Sequence, residues 1–158
     1  MSNLLVQNIK HTNNTTAQTI DTSGRTTVSI MNNDSTFRSD GGAVTQNLVQ
    51  GLCKAWIDFN GTGTAAIRDS FNFSGLTDHD TGIYTQTFTS GFSNVNYGVG
   101  STQQDDESNT DNGSGGISTI HRASGARSTA SLKMGSNIAG SATRSDALIS
   151  YVVHGDLA

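Results

Sequence analysis

The sequence predicts an all-β protein: an antiparallel, jelly-roll-like β-sandwich carrying an extended N-terminal arm and one short helix. Three observations predict it. Through residues 54–100, KAWIDFNGTGTAAIRDSFNFSGLTDHDTGIYTQTFTSGFSNVNYGVG, apolar and polar residues alternate with a period of two, and Gly, Asn and Asp cut the stretch into strand-length pieces. Turn signals recur about every 8 to 15 residues, the spacing of a sandwich. The composition replaces charge with Ser, Thr, Asn and Gly, with 14% charged residues, 18 glycines and no proline.

Residues 1–43 read as the arm. Leu4, Val6 and Ile9 form a short apolar patch before the polar run HTNNTTAQT. Ile20-Asp21-Thr22-Ser23-Gly24-Arg25 has turn chemistry, and a strand over 27–31 is expected to stop at Asn32-Asn33-Asp34. So short a segment buries too little to stand alone, so it is expected to pack on its own copies or on a docking partner.

Gly41-Gly42 marks the boundary to a second domain, 44–158. Its first residues, 44–54, place Val44, Leu48, Val49 and Leu52 at helical spacing and predict about two to three turns of neck helix. Gly51 costs that helix about 1 kcal/mol. Strands follow from Ala55, with Trp56 and Asp58 on one face and Ile57 and Phe59 on the other. Asn60-Gly61-Thr62-Gly63 reads as a hairpin turn. Ala65, Ile67, Phe71 and Phe73 carry the next strand, interrupted or bulged at Arg68-Asp69. Residues 76–82 read as a second turn, 83–88 as a strand, and Val95, Tyr97 and Val99 alternate on another. Residues 103–116, QQDDESNTDNGSGG, have no apolar side chain and read as an exposed loop. Two short strands are expected over 117–121 and 128–134. Residues 147–153 form the last and most apolar strand, placed to close the sheet.

Composition excludes several classes of function. Hydrophobic residues make up 33% and aromatics 6%, so a lone core would be thin and folding would lean on a partner surface. A net charge of −4 with no basic cluster argues against nucleic-acid binding. Cys53 is the single cysteine and is expected to be a small buried hydrophobe. No run approaches the roughly 20 apolar residues of a membrane span. The N-terminus lacks a charged leader region, so export by a secretory signal is not expected.

The chemical motifs are sparse. Gly61-Thr62-Gly63-Thr64-Ala65-Ala66 lacks the third glycine of a dinucleotide fingerprint and precedes a strand rather than a helix. There is no P-loop, no CxxC and no HExxH. Asp78-His79-Asp80 offers carboxylates and an imidazole, but adjacent turn residues diverge, so the group reads as a solvated turn. Asp105, Asp106, Glu107, Asn109, Asp111 and Asn112 present oxygen atoms that calcium favours, but without EF-hand spacing, so this too reads as a solvated loop. No nucleophile elbow or paired-carboxylate arrangement is evident, and no catalytic residue, metal or cofactor is expected.

Two segments carry a family likeness. A-W-x-x-F-N-G-T-G-T at 55–64, I-R-x-S-F-N at 67–72 and T-D-x-x-T-G-x-Y-T at 77–85 resemble a module of bacteriophage tail fibres and related virion proteins. The opening, L-x-V-x-x-I-x-H-T-N-x-T-x-A-x-T-I-D-x-S-G-R from Leu4 to Arg25, resembles N-terminal peptides of small cyanophage and marine-phage structural proteins. It departs at Asn14, where glycine is expected. The resemblance implies a non-enzymatic virion protein, a short homotrimeric tail fibre made in the host cytoplasm. Leu4, Val6, Ile9 and Ile20 would anchor it to other phage tail or capsid proteins. Asp78, His79, Asp80, Asp105, Asp106 and Asp111 would face a host cell-surface glycan or protein. Acidic loops poor in aromatic rings make a weak glycan site, because sugar recognition usually needs a stacking ring. The alternative is a capsid decoration or head-fibre protein that cements the shell, and copy number per virion separates the two.

Overall fold

The computed structural model describes residues 8–10, 16–28, 31, 35–38, 45–104, 116–120, 125–138 and 142–158. The chain divides into two compact units, Met1–Gly51 and Leu52–Ala158.

In the first unit, β1 (Asn8–Lys10), β2 (Thr16–Ile20) and β3 (Thr26–Val28) form an antiparallel sheet in that order. The expected turn at Asp21 joins β2 to β3. Its carboxylate accepts the Ser23 and Arg25 amides at 2.8 and 2.9 Å and the Arg25 guanidinium at 2.8 Å. These bonds, led by those from Arg25, hold the Asp21 carboxyl below its usual range. β4 (Thr36–Arg38) pairs with β5 (Thr45–Asn47). The neck helix expected over 44–54 is corrected to one turn, α1 (Leu48–Gly51), grouped with the first unit. Strand pairing claims residues 45–47, and the Asn47 side chain caps the Gln50 amide at 2.8 Å, so the turn starts late and ends at Gly51. No residue of this unit whose burial is described is buried.

The second unit is a two-layer antiparallel sandwich. Its strands are β6 (Ala55–Asn60), β7 (Ala66–Phe71), β8 (Phe73–Asp80), β9 (Ile83–Phe88), β10 (Gly98–Gln104), β11 (Gly116–Ile120), β12 (Ser131–Ile138) and β13 (Leu148–His154). One sheet has the order β10-β13-β6-β7 and the other β11-β12-β9-β8. The period-two pattern does what it predicts: Ala55, Ile57 and Phe59 of β6 and Ile149, Tyr151 and Val153 of β13 are buried. They meet Phe73, Tyr84, Phe88, Leu132 and Met134 from the facing sheet in one core. Rings interlock across the layers, Phe59 edge-on to Tyr84 at 5.1 Å and Phe73 edge-on to Tyr151 at 5.7 Å. The last apolar strand, β13, lies centrally between β10 and β6, closing its sheet as expected.

Four local expectations change. Phe71 and Phe73 do not share a strand, because Asn72 adopts a left-handed φ of 60° and carries the chain from one sheet to the other. Its amide group is used on both sides, donating to the Lys54 and Ser90 carbonyls and accepting the Ser90 amide at 2.7 Å. The turn expected over 76–82 shrinks to Thr81-Gly82, since Leu76, Thr77 and Asp78 pair with β9. Val95 sits outside β10 in a bend where Asn94 accepts the Asn96 amide. Cys53 is half-buried rather than buried, its thiol donating to the Ala55 carbonyl. The bulge expected near Arg68 is present: Asp58 pairs with Asp69 and Phe59 with Ile67, leaving Arg68 as the extra residue.

One polar knot joins the layers. The buried Tyr84 hydroxyl donates to the Asp146 carboxylate, with the Gly61 carbonyl 3.2 Å away. Asp146 also accepts the Gly82 amide at 2.7 Å, and the Gly61 amide donates to the Ala147 carbonyl at 2.8 Å. A Cβ on Gly61 would overlap the Tyr84 hydroxyl. Gly82, at φ 64°, has no room for one against the Ser136 carbonyl.

Gly61→Ala is therefore expected to lower sandwich stability by about 2–4 kcal/mol in chemical denaturation. A loss under about 0.5 kcal/mol would show that Tyr84 can leave the knot freely.

The three tyrosines of the chain are all held protonated above their ordinary value of 10.0. Burial is the leading cause for each, reinforced at Tyr84 by the Asp146 carboxylate. The unfolded chain ionises these phenols from about pH 10 upward while the folded one resists. Their stabilising effect is thus fully present below pH 10 and lost above it. Denaturation midpoints are expected to be flat in this respect up to about pH 9.5 and then to fall, with up to three protons released per molecule unfolded.

Candidate functional site

The outward side of the β10-β13-β6-β7 sheet follows from the same alternation that builds the core. Register places Gly100, Val152, Trp56 and Phe71 side by side in one row across all four strands. Trp56 is 36% exposed, Val152 41% and Phe71 54%. Partly and widely exposed aromatic rings on a rigid sheet are the unusual feature here, since single exposed apolar residues need no explanation but a contiguous row does.

The next row along the strands is polar: Thr102, Ser150, Asp58 and Asp69, with the bulged Arg68 beside Asp58. Arg68 lies 3.7 Å from the Asp58 carboxylate. Both groups are substantially solvated, so the pair contributes little to stability. The Asp69 carboxylate accepts the Ser70 amide at 2.8 Å. Between the rows lies a depression of about 470 Å³ lined by Trp56, Asp58, Gly100, Thr102, Ser150 and Val152. A second of about 370 Å³ continues it over Asp58, Arg68 and Leu148. Gly100 keeps the floor low, because the atom nearest to a Cβ there would be a Val152 methyl at 3.5 Å.

The sequence-predicted contact residues fall elsewhere. Asp78, His79 and Asp80 end the edge strand β8, exposed, with His79 bulged out of register and its ring 2.9 Å from the Thr85 hydroxyl. Charges there also discourage edge-to-edge pairing. Asp105, Asp106 and Asp111 lie outside the described residues, as do Leu4 and Val6 of the expected anchor. Ile9 is exposed on β1 and Ile20 half-buried on β2. Among the described residues, no group of three or more His, Cys, Asp or Glu side chains converges and no helix is long and apolar enough to cross a membrane.

Sequence reasoning missed Trp56 and Phe71 as surface residues. Trp56 had a signal, since it shares its face with Asp58 while Ile57 and Phe59 share the other. Phe71 had none, because its spacing from Phe73 hides the reversal at Asn72. Compared with known proteins, the chain matches no family model, no curated protein and no solved structure.

Phe71→Ser is expected to leave the melting temperature within about 4 °C of the parent. Phe73→Ser, two residues on but in the core, should cost about 3–5 kcal/mol. Equal losses from both would mean that the outward row is covered in the folded protein.

Proposed function

We propose that this chain is a non-enzymatic structural protein of a bacteriophage virion: a short homotrimeric tail fibre whose N-terminal unit anchors it to other tail or capsid proteins. Its sandwich projects and contacts the host surface. The observation that carries this reading is the contrast in burial between the units. The sandwich has its own core, with fourteen buried apolar residues among those described, whereas no residue of Met1–Gly51 whose burial is described is buried. Ile9, Val28, Met31 and Phe37 stay exposed there. Short sheets whose described side chains stay exposed or half-buried gain stability from a further surface, which is what an anchor finds by strand addition or groove filling. The phage assignment itself rests on the likeness of 4–25 and 54–100 to virion modules.

Light scattering coupled to size exclusion tests it on the full chain and on a version beginning at Leu52. A mass close to three times the 16.5 kDa chain is expected for the full protein, and antibody labelling should place a few tens of copies or fewer at the tail. A monomer in both forms, or hundreds of copies over the head, would overturn the fibre in favour of a decoration protein ordered on the shell.

A further inference from the structure

We propose that the outward face of the β10-β13-β6-β7 sheet is a binding site for a neutral saccharide, with Trp56 and Phe71 as the stacking platform. This rests on reading the sandwich as the contact domain, and it moves the contact from the acidic loops to a sheet face.

The argument is one of complementary chemistry. A pyranose ring has one face of C–H groups, slightly positive, and a rim of hydroxyls. The ring faces of Trp56 and Phe71 are electron-rich, and the two residues are direct cross-strand neighbours, about 5 Å apart. That matches the breadth of one sugar ring. Two residues along each strand, about 7 Å away, stand the carboxylates of Asp58 and Asp69 and the hydroxyl of Thr102. Carboxylates accept from sugar hydroxyls, and threonine does both. Trp56, Asp58 and Thr102 therefore offer a ring and a hydrogen-bonding rim on two adjacent rows.

The charge and size of the face select among occupants. Asp58 and Asp69 on one side of the rings are balanced by Arg68 and by Lys54, which lines a depression with Phe71 on the other side, so the face offers no net attraction to sialylated or phosphorylated glycans and suits neutral ones. A second protein chain needs about 800 Å² per partner, whereas the apolar row here is three side chains wide and bordered at once by charge. The 470 Å³ depression, which adjoins the platform on the Gly100 and Val152 side of Trp56, instead falls in the range of small-ligand sites.

Trp56 is the only tryptophan in the chain, so indole emission, excited selectively over tyrosine, reads this site alone. The full-length protein is titrated with neutral oligosaccharides of glucose, galactose, mannose and N-acetylglucosamine, with sialyllactose as the acidic control. A saturable emission shift with at least one neutral sugar is expected, at affinities near the millimolar range typical of shallow sites. Phe71→Ala should weaken it by about tenfold, and Asp69→Asn by a smaller factor, with circular dichroism unchanged. Phe71 and Asp69 are both exposed, so these variants keep the fold even where a change at Trp56 does not. No saturable shift with any neutral sugar up to about 10 mM, a shift that survives both substitutions, or a stronger response to sialyllactose would overturn the proposal. So would emission that changes only with protein concentration, which would make the face a contact between copies of this chain. None of these outcomes alters where labelling places the protein on a virion, so this site and the fibre reading fail separately.

Discussion

The buried hydroxyl of Tyr84 is the directional constraint on which the sandwich depends. Apolar burial holds two sheets together but is indifferent to how they slide over one another. Tyr84 belongs to β9 of one sheet, while Asp146 and Gly61 flank β13 and β6 of the other, so their bonds set the offset of the layers at that end. Tyr97 does the same at Ser128 and Ser131, its hydroxyl donating towards their carbonyls at 3.1 and 3.2 Å, while Arg127 donates to the Tyr97 carbonyl and lies 5.5 Å from its ring centre. Asn72 pins the crossover between the sheets. Each such bond is worth only about 1 kcal/mol net, yet leaving a buried partner unpaired costs more. The core already carries some of that cost, because the amide of Gln86 and the hydroxyls of Ser136 and Tyr151 are buried without a partner among the described residues.

Much of this architecture is legible in the residues because burial in a sandwich has a simple period. Ala55, Ile57 and Phe59 face inward and Trp56 outward for a reason visible in five consecutive letters. The Asp21 turn and the bulge at Arg68 are equally local, each decided by side chains within a few positions. The failures come where a distant partner decides. Residues 45–47 satisfy a helical spacing, but β4 offers them backbone hydrogen bonds, and pairing wins over a helix containing Gly51. Leu76, Thr77 and Asp78 look like a turn on composition, but β9 lies beside them and the strand runs on. Propensity has no access to either neighbour.

The candidate site was hidden for a related reason. Polar residues cluster in the loops and strand ends, Asp78, His79 and Asp80 among them, and their composition alone points there. The unusual surface is instead the reverse side of the core. A strand that buries Ile57 and Phe59 must present Trp56 and Asp58 together, and β7 and β13 add Phe71 and Val152 to the same row. The platform is therefore a by-product of sheet register, and its geometry is as rigid as the core that fixes it.

This coupling explains how a chain so poor in aromatic residues can sustain both a fold and a surface. Of its rings, Phe59, Phe73, Tyr84, Phe88, Phe92, Tyr97 and Tyr151 are buried together in the sandwich core, leaving little apolar material for anything else. The two rings left outward on β6 and β7 are thus not surplus core residues that failed to fit. Their positions face away from the core by parity, and a Thr or Lys at either would serve a solvated strand as well and expose less apolar area. Trp56 and Phe71 support each other as a cross-strand pair, but they leave apolar area exposed that a polar residue would not. Such a surface makes physical sense where a ligand covers it, and the polar row beside it suits a ligand that is itself half apolar and half hydroxylated.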